Sequence, residues 1–94
     1  MTNPGLVARL KFNLSLTTTA YDDYLGQLLD AASGMIAREG VNLNTNCEED
    51  AQILIMYAAY LFRKRAEDNP AMPRMLRYAL NNRLFSQKMQ EDGV

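Results

Sequence analysis

Three places in this chain hold side chains of the kind that do chemistry. Glu48, Glu49 and Asp50 are consecutive carboxylates, and clustered carboxylates bind hard cations. A calcium loop, however, alternates Asp and Asn ligands around a central glycine, and that pattern is absent. Three acids opening a helix are what the helix dipole favours, so they read as capping residues. Cys47 precedes them, where a helix N-terminus can depress a thiol pKa. The sequence has no histidine to act as its base, so Cys47 reads as a small, buried or half-buried thiol. Gly34 and Gly40 are isolated, which excludes a phosphate-cradling fingerprint, and Ser33 and Ser86 have no partner pattern. No catalytic residue, metal ligand or cofactor-binding residue is expected. A single cysteine also excludes a disulfide framework or a cysteine zinc site within one chain.

The third place offers recognition rather than catalysis. Arg74, Tyr78, Asn81, Phe85 and Lys88 recur at spacings of four, three, four and three, which aligns them along one side of a helix. Met72, Leu76, Ala79, Leu80 and Leu84 form a separate core stripe on the other side. Tyr, Phe and Arg are enriched where proteins touch, and Lys and Asn suit a wet rim. The stripe, with Arg77 beside it, is a candidate contact for a neighbouring subunit. Two readings stay beside it: the aromatics fold over the edge of their own core, or Arg74, Arg77, Asn81, Asn82 and Arg83 face a DNA groove as a recognition helix. The acids Glu67 and Asp68 next to that helix oppose the DNA reading.

Four helices account for most of the residues, giving an all-α bundle in one domain over residues 1–94. The first runs from about Pro4 to Asn13, with Asn3 as N-cap and Leu6, Val7, Leu10 and Leu14 on one side. The second starts from a capping-box-like Thr19 and Asp22, carries Tyr21, Leu25, Leu28, Leu29, Ala32 and Ile36 on one face, and stops at Gly40. The third starts at an Asn46 cap and reads AQILIMYAAYLF over 51–62 before the basic Arg63, Lys64 and Arg65. A helix apolar all round must be covered all round. Either it is central, or its second face, Ile55, Met56, Ala59 and Phe62, meets another subunit. Asn69-Pro70 marks a turn, and the fourth helix runs from Pro73 to about Met89, leaving a frayed tail.

Of the 94 residues 48% are apolar and 22% charged, the mix of a single globular domain. A core this small gains stability readily from oligomerisation. The longest apolar run, Ile53 to Phe62, is too short for a membrane span. No basic, hydrophobic leader precedes Leu6, so an intracellular protein is expected. Residues 1–50 carry seven acids against three bases, a net −4; residues 51–94 carry seven bases against four acids, a net +3. Such halves attract each other, within one chain or head-to-tail between copies.

The stretches TTTAYDDYLGQLLDAASGMIAREG, MYAAYLFRKRA and MPRMLRYALNNRLFSQK resemble the small head–tail connector (adaptor, or DNA-packaging) proteins of tailed bacteriophages and prophages. The resemblance runs from Leu16 to Lys88 and rests on the helix pattern with the YAAYL and PRMLRYALNNRLF phrases. It implies an all-helical, non-catalytic subunit that assembles as a ring at the virion head–tail junction after synthesis in the host cytoplasm. It also implies docking below the portal protein, a platform for the tail or stopper protein, and DNA passing through without being read, which makes the outer stripe of the fourth helix a contact for a neighbouring subunit or for the portal. Some relatives carry a longer insertion where this chain has only Val41 to Asn46. Ring closure needs a heterologous interface, one patch meeting a different patch on the next copy. The acidic and basic halves, with the surplus apolar surface of the third helix, suit that.

Overall fold

The computed structural model describes residues 4–64 and 72–92, with side chains at 5–64 and 72–89. The Asn3 cap, Arg65, the turn at Asn69-Pro70 and the acids Glu67 and Asp68 lie outside the described residues. Four helices follow in order: α1 (Pro4–Leu14), α2 (Asp22–Arg38), α3 (Glu48–Lys64) and α4 (Arg74–Asp92). There is no strand among the described residues, and no described helix is long and apolar enough to cross a membrane. The fold is a small all-α bundle.

Local chemistry sets the helix ends. Gly40 adopts φ +91, a left-handed conformation that costs glycine little. This lets its N–H reach Ala37 O (3.0 Å) and the Val41 N–H reach Ile36 O (3.4 Å), the Schellman closure, with Val41 buried beneath it. Ser15, at φ 60, closes α1 in the same way through Ser15 N–H to Phe12 O and Leu16 N–H to Lys11 O. Two expected starts are corrected. Tyr21, not Thr19, precedes α2 and gives it no side-chain cap; Thr18 Oγ1 instead accepts from Ala20 N–H, holding the turn before it. Before α3, Asn44 organises the turn, accepting from Asn46 N–H through Oδ1 and from Cys47 N–H through its carbonyl. The helix then opens with Cys47 O accepting from Ala51 N–H. Cys47 is exposed rather than half-buried, and α4 continues to Asp92 instead of fraying after Met89.

α3 is the hub. It packs on α1, α2 and α4, whereas α4 packs chiefly on α3. Leu6 and Leu10 of α1, Leu25, Leu29, Ala32 and Ile36 of α2, and Leu76 and Leu80 of α4 are buried around Ile53, Leu54, Ile55, Tyr57, Ala58 and Ala59.

Candidate assembly surface

The outer face of α4 follows from its short apolar attachment. Leu76 and Leu80 are buried, and Met72, Ala79 and Leu84 are half-buried against the core. One such stripe covers only part of a helix circumference. On the other side Arg74, Tyr78, Asn81, Phe85 and Lys88 are all exposed. Tyr78 keeps 59% of its surface in solvent and Phe85 65%, and Met75 (72%) and Met89 (58%) widen the same face. The aromatics do not fold over the edge of their own core. Four large apolar side chains on one helix side, rimmed by two cations, have the composition of a contact surface.

The expected second face of α3 is corrected. Ile55 is 1% exposed and Ala59 2%, so neither can touch another subunit without unfolding. Phe62 is half-buried, its ring edge-on to Tyr21 at 5.8 Å and tilted against Tyr24 at 6.2 Å. Met56 is half-buried against the core, on the floor of a shallow groove beside Ile53 and Ala79. The chain's own helices absorb the apolar surplus, so of the two readings of α3 the central one holds.

The basic residues of α4 divide into two sets. Arg77, named with the contact stripe, is half-buried and gives Nη1 to Glu39 Oε1 at 2.7 Å. Arg83 gives Nε to Asp50 Oδ1 and Nη2 to Asn42 O, both at 2.8 Å. These two arginines hold α4 onto the α2–α3 connection. Arg74 and Lys88 point outward. Asp50, grouped in sequence with the capping acids, is 3% exposed and accepts a second bond from Asn44 N–H at 2.9 Å. Burial alone pushes its carboxyl pKa up. The Arg83 and Asn44 hydrogen bonds and the Arg83 charge outweigh that and hold it below the ordinary carboxylate value. Glu48, by contrast, is exposed and pairs with Arg9 of α1.

Sequence reasoning missed three features. Gln87 bridges to the α2–α3 connection, its Nε2 donating to Gly40 O (2.8 Å) and its Oε1 accepting from Asn42 N–H (2.7 Å). The Asp50–Arg83 pair joins residues 33 apart in sequence, and no local pattern signals it. Phe12 is 89% exposed; its place opposite the Leu6–Leu10 stripe of α1 would have signalled that. An open, acidic cleft also lies between α1 and α2. It is about 640 Å³ in volume, with Asp22, Asp23 and Asp30 on one wall and Val7, Ala8 and Lys11 on the other. Lys11 Nζ stands 3.0 Å from Asp22 Oδ1. Among the described residues no three His, Cys, Asp or Glu side chains are grouped to hold a metal ion.

No protein-family model matches this chain, and no curated protein or solved structure is significantly similar to it.

Proposed function

We propose that this chain is a non-catalytic structural subunit that works by presenting the outer face of α4 to another protein chain. The observation that carries the reading is the exposure of Met75, Tyr78, Phe85 and Met89 on a helix whose other side already has a complete core stripe. A solvated helix has no use for that much apolar surface. The resemblance between Leu16 and Lys88 supplies the setting: a homo-oligomeric ring in a tailed-phage head–tail connector, between portal and stopper, with DNA passing through unread. The all-helical bundle suits such a subunit. DNA recognition by the fourth helix is the weaker alternative, because Arg77 and Arg83 are paired with Glu39 and Asp50.

The test is the double substitution Tyr78→Ser, Phe85→Ser, followed by light scattering alone and with the cognate portal. The variant keeps its helical circular dichroism and loses both self-association and portal binding. Retention of both at wild-type strength overturns the reading.

A further inference from the structure

We propose that α4 is a detachable strap: it leaves the bundle as one unit while α1, α2 and α3 stay folded around one another. This holds whatever chain the outer face of α4 meets.

The packing is closed without α4. α1, α2 and α3 each lie against the other two, whereas α4 packs chiefly on α3. Its departure therefore breaks no interface among the remaining helices. Apolar burial is divided in the same way. Of the α4 side chains from Arg74 to Met89 only Leu76 and Leu80 are buried. The three-helix remainder keeps Leu10, Leu25, Leu29 and Ile55, each at most 2% exposed. Units that open locally are those with few buried apolar contacts.

The rest of the attachment is polar and gathered in one place. Arg77 reaches Glu39, Arg83 reaches Asp50 and the Asn42 carbonyl, and Gln87 reaches Gly40 O and the Asn42 N–H. All five bonds end between residues 39 and 50. Each is exchanged for a bond to water when it breaks, so its net contribution is small. Arg83 and Gln87 share Asn42, one on its carbonyl and the other on its N–H, which ties their release together. From Arg74 to Asp92 there is no glycine or proline to divide the helix, so it moves in one piece. Opening carries Leu76 and Leu80 into solvent and bares the side of α3 beneath them. The open form thus presents apolar surface that the closed form hides.

The test is native-state hydrogen exchange on the full chain, at rising urea below the unfolding transition. The α4 amides from Tyr78 to Lys88 share one protection factor, at least about tenfold lower than those of Leu29 and Ile55. Protection at Leu29 and Ile55 falls steeply with urea and that of α4 only slightly, because releasing a strap exposes little surface. Leu10→Ala lowers protection at Leu29 and Ile55 but leaves that of α4 unchanged, since the open and closed forms both contain the damaged core. Should Leu10→Ala not fold, the urea slopes decide alone. Gln87→Ala removes two of the five bonds and lowers α4 protection about tenfold. The proposal is overturned by α4 amides with the protection and urea slope of α2 and α3, because the helix then leaves only when the whole chain unfolds. Protection that declines smoothly towards Asp92 also overturns it, being fraying from one end, as does α4 protection that drops with Leu10→Ala or ignores Gln87→Ala.

Discussion

α3 and α4 are close in length, 17 and 19 residues, and both carry apolar residues on more than one side, yet they end in opposite situations. α3 is apolar around its circumference over 51–62 and leaves only Gln52 exposed there; α4 is the more polar helix and exposes four large apolar side chains. Packing order explains the inversion. Three helices lie against α3, so most of its apolar surface has a neighbour. α4 rests chiefly on one helix and is fastened to the α2–α3 connection by polar bonds from Arg83, Gln87 and Arg77. The number of apolar residues on a helix does not say whether it sticks to other chains. The number of its neighbours does.

The contrast is sharpest in paired truncations. Ile55→Ala removes a side chain enclosed in α3 and is expected to cost about 3 kcal/mol of unfolding free energy in urea. Phe85→Ser on α4 removes a larger side chain and is expected to change stability by no more than about 0.5 kcal/mol. Equal losses would show that α4's outer face is covered after all.

Next in size is the pair that fastens α4 to α3. Asp50→Asn strands part of the Arg83 guanidinium in a half-buried site and is expected to cost about 2–3 kcal/mol at neutral pH. The folded Asp50 carboxyl has a pKa below its unfolded value of 3.8, so its contribution is complete above that value and is lost as pH falls through the folded pKa. The stability gap between wild type and Asp50→Asn should therefore hold from pH 7 to about pH 4 and close below it. A gap constant down to pH 2 would mean that the carboxylate charge is not what Arg83 binds.

The one expected gain lies on α2. Gly34 is exposed in mid-helix, and a Cβ there would meet nothing within 4 Å. Gly34→Ala should stabilise the chain by about 0.5–1 kcal/mol, read as a higher urea midpoint. A loss would place an unrecognised neighbour against that face.

The helices were legible because periodicity reports burial directly. Leu25, Leu29, Ala32 and Ile36 form one face in the sequence and one buried face in the fold. The exposed side of α4 was legible for the same reason, down to Tyr78 and Phe85. What escaped depends on tertiary neighbours. Nothing local to Glu48, Glu49 and Asp50 says that the third turns inward to Arg83 while the first stays at the surface with Arg9. Whether Ile55 and Ala59 face a partner or α3's own neighbours likewise depends on how the helices surround one another, which a one-dimensional pattern does not contain. The helix starts slipped by a residue or two because several residues near each start can hydrogen-bond the turn, and Thr18 and Asn44 did so ahead of Thr19 and Asn46.

The Gln87 carboxamide stands in for a peptide group, giving a proton to one main-chain carbonyl and taking one from an amide two residues further on. Because it reads backbone, Asn42 could change its side chain without losing that bond, whereas position 87 needs a side chain that both donates and accepts. Glutamate has the same shape but nothing to donate, and lysine has nothing to accept with. Part of the seat of the fourth helix therefore rests on one amide having two different ends.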